Sequence, residues 1–194
     1  MANYRNYEVP SYGTLKEMLA ASTEKFADRP AFKEKTDGVW RETTYRVYGD
    51  DVNALGTELL ARGFGGKRII VTGTNSYAWV VTYMAVICGV GVIVPVDKEI
   101  PAEELANIAR ISEAALVIYG PKCAEKVENA DLSAERCSFA KLSELIRSGR
   151  RRLADGDRSY LDAQIDPNVM SALIFTSGTT GVSKGVMLSH RNLC

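Results

Sequence analysis

The chain has 194 residues, 46% hydrophobic and 25% charged, the composition of a soluble globular domain with room for one sizeable core. Lys plus Arg equals Asp plus Glu at 24 each, so no global field favours nucleic acid or a membrane surface. The polar opening MANYRNYEVPSYG lacks the apolar run of a secretory leader, and the expected location is cytoplasmic.

In chain order, Thr14 to Phe26 places Leu15, Met18, Leu19 and Phe26 at helical spacing. Short strands over Ala31–Lys35 and Trp40–Thr44 flank Asp37-Gly38 and suggest a hairpin. Thr44 can cap a helix from Tyr45 to Arg62, which Gly63 ends. Arg68 to Thr74 is rich in β-branched residues and reads as a strand. The next stretch, Tyr77 to Val96, is apolar enough to span a bilayer by length alone. Gly89, Gly91 and Pro95 interrupt it, so it is read as a buried helix, a turn and a core strand. No transmembrane segment is expected, which leaves peripheral membrane contact open.

Pro101 opens another helix, with Glu103 and Glu104 in its first turn, where carboxylates complement the helix dipole. Ala115 to Tyr119 is a strand. Lys122–Asn129 and Lys141–Ser148 read as short helices around a weak strand at Cys137–Ala140. Arg147–Asp157, reading RSGRRRLADGD, is expected to begin a linker or surface segment over 147–168, its arginines a solvated face. Alternation of strands and helices implies an α/β fold, a mostly parallel sheet with helices on both faces.

Cys88, Cys123, Cys137 and Cys194 lack metal-ligand spacing and are expected to be reduced structural thiols. Asp97, after Pro95, is expected to cap its own loop. His190 is expected at a helix entry, with Ser189 as the cap.

The most informative stretch is residues 173–189. Apolar Leu173–Phe175 leads into a run of Gly, Ser and Thr closed by Lys184, and Val186–Leu188 follows. This reads as strand, loop, strand. Gly178, Gly181 and Gly185 allow positive φ and close backbone approach, and successive N–H groups can form an anion nest. Thr176, Ser177, Thr179, Thr180 and Ser183 add hydroxyls, and Lys184 adds charge, so a polyphosphate is the natural guest. A flexible linker is the competing reading of such composition. A Walker A loop is excluded, because Ser183 precedes the lysine and Gly185 follows it.

LIFTSGTTGVSKG, from Leu173 to Gly185, resembles the signature of the acyl-adenylate-forming (AMP-binding) enzymes, with Ser183 where that family most often has Pro. TTYRVY (Thr43–Tyr48), NSYAWVVTYMAVICG (Asn75–Gly89) and CGVGVIVPVDKEIP (Cys88–Pro101) are similar to further family motifs. The resemblance extends over about residues 14 to 194, and its texture is closest to bacterial long-chain fatty-acid–CoA ligases.

The resemblance implies the N-terminal subdomain of the adenylate-forming fold, over 1–194, with the C-terminal domain absent and the chain truncated after the phosphate loop. It implies a small-molecule carboxylic acid, ATP with Mg2+, and coenzyme A as partners, and no nucleic acid. Thr176, Ser177, Gly178, Thr179, Thr180, Gly181, Ser183, Lys184 and Gly185 would hold the pyrophosphate. The family's catalytic lysine lies downstream, so no catalytic residue is assigned and the fragment alone is expected to be inactive. An amino- or aryl-acid-adenylating enzyme of the same superfamily, and a stand-alone nucleotide- or partner-binding module, stay open. A sheet ending at this strand pair has an open edge, which predicts self-association. The oligomeric state is otherwise not legible.

Overall fold

The computed structural model describes residues 9–36, 38–176 and 184–194. Helix α1 (Leu15–Lys25) begins at Thr14, whose hydroxyl accepts from the Glu17 N–H at 3.1 Å. That bond satisfies one of the donors a helix start leaves without a partner. An antiparallel pair follows, β1 (Pro30–Thr36) and β2 (Val39–Thr44). Gly38 enters the left-handed region at the turn, with φ +79°; Asp37 lies outside the described residues. Thr44 then caps α2 (Tyr45–Ala61) through the Val47 N–H.

The main sheet consists of β3 (Arg68–Thr72), β4 (Val92–Val96), β5 (Ala114–Tyr119), β6 (Glu135–Ser138), β7 (Met170–Thr176) and β8 (Lys184–Ser189). Helices α3 (Tyr77–Ala85), α4 (Ala102–Ile111), α5 (Ala124–Asn129) and α6 (Leu142–Ala154) connect the strands, and α7 (His190–Leu193) follows β8. The spatial order is β6-β5-β3-β4-β7-β8. Every neighbour is parallel except β8, which runs antiparallel to β7 and forms one edge. The α/β expectation holds.

Strand side chains alternate between two cores, as the pleat requires. Ile69, Val71, Ile93, Leu116 and Ile118 face α1, α2, α3 and α6, together with Leu55, Leu59, Val81 and Leu145. Ile70, Val94, Val117 and Tyr119 face α4 and α5, together with Leu105, Ile108 and Val127. Burial on both faces explains why these strands read as continuous apolar runs. Each fully buried Leu or Ile contributes about 1.5–3 kcal/mol.

The apolar stretch from Tyr77 resolves as read: α3, a wide turn over Val86–Val90 broken at Gly89 (φ +155°), then β4. No helix among the described residues is long and apolar enough to cross a membrane. Pro95 stands inside β4, opposite Val71, rather than ending it. It brings no N–H to the ladder, and β4 meets β7 at the single pair Ile93–Ala172. Cys88 and Cys123 are buried, Cys137 is half-buried and Cys194 is exposed, all of them free.

The segment expected to begin a linker differs. Helix α6 continues to Ala154, so Arg147–Ala154 is helical. Gly149 packs directly on α2, where a Cβ would stand 1.8 Å from the Ala54 carbonyl oxygen. The arginines are not merely solvated. Arg150 pairs with Asp51 at 2.6 Å, and Arg152 and Arg62 both bond the Glu58 carboxylate, at 2.8 and 2.7 Å. Burial pushes Glu58 upward, but the two guanidinium groups outweigh it and hold the carboxyl below its ordinary range. Beyond α6, Tyr160 is buried and its hydroxyl donates to Ala85 O at 3.0 Å. Its ring fills space left by the missing side chains of Gly56 and Gly89. Residues 155–163 thus run along the surface, mostly exposed, and are anchored to the core at Tyr160.

Candidate functional site

Open parallel sheets bind ligands beyond the carboxyl ends of their strands. Here the ends of β3, β4 and β7 border a cleft of about 470 Å³. Gly73, Asn75 and Trp79 come from the β3–α3 connection, Pro95 to Glu99 from the end of β4, and Ile174 and Phe175 from β7.

Local chemistry fixes each wall. Gly73 has φ +155°, and a Cβ there would meet the Gly120 backbone nitrogen at 3.1 Å, so the strand ends approach as only glycine permits. The start of α3 is held twice. Ser76 Oγ accepts from the Trp79 N–H, and Glu34 of β1 accepts from the Tyr77 N–H at 2.8 Å. A carboxylate at a helix start also complements its dipole. Trp79 stacks on Tyr83 with ring centroids 5.3 Å apart. Tyr77 donates its hydroxyl to Asp51 at 2.8 Å; burial first, and then Asp51, drive its phenol well above the ordinary range.

On the β4 side, Asp97 Oδ1 accepts from the Glu99 N–H at 2.8 Å, the loop-capping role expected for it. Lys98 pairs with Glu99, which raises the lysine and lowers the carboxyl relative to their usual values. Both groups are solvent-facing.

Three of the nine phosphate-loop residues named from the sequence lie among those described. Thr176 and Lys184 face each other on the last rung of the β7–β8 ladder, both exposed. That rung brings the two ends of the loop together beside the cleft. Gly185 lies in β8 opposite Phe175 and is not at positive φ, contrary to the conformational reason given for it. A Cβ there would crowd the Leu173 Cδ1 methyl at 3.0 Å. Ser177, Gly178, Thr179, Thr180, Gly181 and Ser183 lie outside the described residues.

His190 is a structural member. It is 1% exposed, its Nδ1 accepts from the Leu15 N–H at 3.1 Å, and its Nε2 faces Ile87 O at 3.0 Å. Those partners require the neutral ring with the proton on Nε2, and burial lowers its pKa further. At the same entry Ser189 donates both N–H and hydroxyl to Asn192 Oδ1. Among the described residues no group of three or more His, Cys, Asp or Glu side chains could hold a metal ion.

The sequence reading had Asn75, Trp79 and Asp97 in its motifs without joining them. Their meeting depends on strand order, which no local spacing encodes.

The chain matches the AMP-binding enzyme family over residues 19–194 and belongs to it. Phosphinothricin tripeptide synthetase PhsC of Streptomyces viridochromogenes is 33% identical over 181 residues, 93% of this chain and 16% of that protein. The long-chain-fatty-acid–CoA ligase FadD15 of Mycobacterium bovis is 27% identical over 180 residues, 86% of this chain and 29% of that protein. The chain thus spans less than a third of either relative. The fatty acyl-adenylate ligase from L. pneumophila, solved with acyl adenylate and pyrophosphate, shares the fold at a TM-score of 0.74 and 21% identity, over 94% of this chain and 31% of that one.

Proposed function

We propose that this chain supplies the pyrophosphate-holding part of an AMP-forming acyl-CoA synthetase acting in the cytoplasm. In this reading residues 1–194 are the N-terminal part of the large AMP-binding domain, and the catalytic lysine is supplied from outside them. A carboxylate oxygen of the acid, here a long-chain fatty acid, attacks the α-phosphorus of MgATP. The bond from that phosphorus to the bridging oxygen breaks, and pyrophosphate leaves. Coenzyme A then displaces AMP from the acyl-adenylate and forms a thioester.

The observation that carries the reading is the Thr176–Lys184 rung, which closes a hydroxyl- and glycine-rich loop beside the strand-end cleft. Thr176, Ser177, Thr179, Thr180, Ser183 and Lys184 would donate to the β- and γ-phosphates, with Gly178 and Gly181 permitting the loop's shape and Gly185 continuing it into β8. Their contribution is positioning and charge neutralisation on the leaving oxygens, shared with the substrate's Mg2+.

The amino-acid-adenylating alternative is favoured by a different observation, the 33% identity to a peptide synthetase. Acid-dependent ATP–pyrophosphate exchange by the enzyme that carries this chain separates the two. Exchange driven by long-chain fatty acids supports the ligase reading; exchange driven only by amino or aryl acids overturns it in favour of the alternative. The 194-residue chain alone is expected to give no exchange above background.

A further inference from the structure

The cleft wall formed by Asp97, Lys98 and Glu99 is held from behind the sheet. Lys126 lies on α5, which packs on the opposite face from α3 and lines no part of the cleft. Its ammonium donates to Lys98 O at 2.6 Å and to Ile100 O at 2.9 Å. Those carbonyls bracket Glu99, so the loop is wrapped around one charge. Charge-assisted bonds of this kind are about twice as strong as neutral ones.

The support has its own support. Arg136 on β6 donates to Val127 O at 3.1 Å and to Ala130 O at 3.0 Å, which fixes the end of α5. Within the loop, by contrast, Asp97 and Glu99 are exposed, and Ile100 is the one side chain packed against a core. Few apolar contacts hold such a segment, so its local stability depends on its polar ties.

We infer that Lys126 is a positioning residue for the strand-end cleft: its ammonium sets where Asp97, Lys98 and Glu99 stand. The inference goes beyond the nucleotide reading in naming a residue outside the cleft, and its functional arm rests on that reading. Removing the ammonium leaves Ile100 O without that donor and Lys98 O with only the long Cys123 Sγ contact at 4.0 Å, so the loss is local rather than global.

Two variants test this, Lys126→Met, which keeps the apolar stem, and Lys126→Arg, which keeps the charge. In the 194-residue chain, Lys126→Met is expected to speed amide hydrogen exchange at residues 98–100 about tenfold, equivalent to about 1.4 kcal/mol. Exchange in β3 and β5 is expected to stay unchanged, and Lys126→Arg to recover most of the protection. Unchanged exchange at 98–100 would overturn the inference. So would a uniform rise that includes β3 and β5, which marks a merely structural lysine.

In the enzyme that carries the chain, pyrophosphate exchange by Lys126→Met is expected to show a KM for MgATP raised about threefold with kcat preserved. An unchanged KM beside a loosened loop would overturn the positioning role. Absence of exchange in the unsubstituted enzyme would count against the nucleotide reading alone, since the amide measurement needs no nucleotide.

Discussion

Among the described residues, two antiparallel strand pairs are held in opposite ways. β1–β2 is fixed by its own face: the Phe32 ring meets Tyr48 at 5.0 Å and Tyr77 at 5.3 Å, both edge to face. Glu34 on the same strand bonds the start of α3. β7–β8 is fixed at the far end from its loop. Ser171 Oγ donates to Leu188 O, and His190, just past β8, is buried against α1 and the turn after α3. Toward the loop its exposed residues are Thr176, Lys184, Gly185, Val186 and Met187. The first pair is seated on the core through Phe32 and Glu34, while Val39 and Trp40 near its turn are exposed. The other is anchored at its base, and its described residues toward the other end are exposed.

The largest effect is expected where the first pair meets the core. Phe32→Ala should remove two aromatic contacts and destabilise the fold by about 2–3 kcal/mol, read from urea denaturation midpoints at constant m. A loss under about 0.5 kcal/mol would mean that the hairpin is not seated by its ring. Glu34→Ala should lower stability by about 1 kcal/mol, the usual weight of a helix cap, and leave the Tyr77–Asp51 bond in place.

The base of the second pair is expected to respond to pH. His190 is neutral and its pKa is lowered in the folded state. Above the unfolded value of 6.5 both states are neutral, and stability is flat with pH. As pH falls below 6.5 the unfolded chain gains a proton that the folded one resists, so stability declines. His190→Gln should remove that part of the slope, seen by comparing urea melts at about pH 7.5 and 5.5. An identical slope in the variant would place the titration elsewhere.

The smallest effect belongs to the open edge. Met187 is 70% exposed, so Met187→Lys should change stability by less than about 0.5 kcal/mol. It should also abolish any concentration-dependent association in sizing chromatography, because a lysine on an edge strand opposes pairing. Association that persists would put the contact on another surface.

This contrast also separates what the sequence discloses from what it withholds. Thr44 and Gly63 mark helix ends through local chemistry, and the two-sided burial of β3 to β5 appears as β-branched runs. Helix α6 was legible only as far as Ser148, and its continuation to Ala154 was hidden because Gly149 and three consecutive arginines resemble a linker. The signal that could have found it is the spacing of Leu142, Leu145, Ile146, Gly149 and Leu153 along one helix face. Its partners Asp51 and Glu58 lie 99 and 94 residues away, beyond any local pattern. Tyr160 was hidden for the same reason, since its pocket is built by Gly56 and Gly89. For the site, the loop's composition and Lys184 were legible at once. The cleft beside it was not, because Asn75, Asp97 and Phe175 meet only after β3, β4 and β7 line up.

The central claim is that this loop holds the pyrophosphate of ATP. Its most direct test is acid-dependent ATP–pyrophosphate exchange by the enzyme that carries this chain, with Lys184→Met and Thr176→Val compared against the unsubstituted protein. Lys184 and Thr176 are exposed, so both variants are expected to fold with unchanged stability. The account predicts that Lys184→Met lowers kcat/KM for pyrophosphate at least about tenfold and Thr176→Val by less. Exchange at the unsubstituted rate in both variants would contradict it.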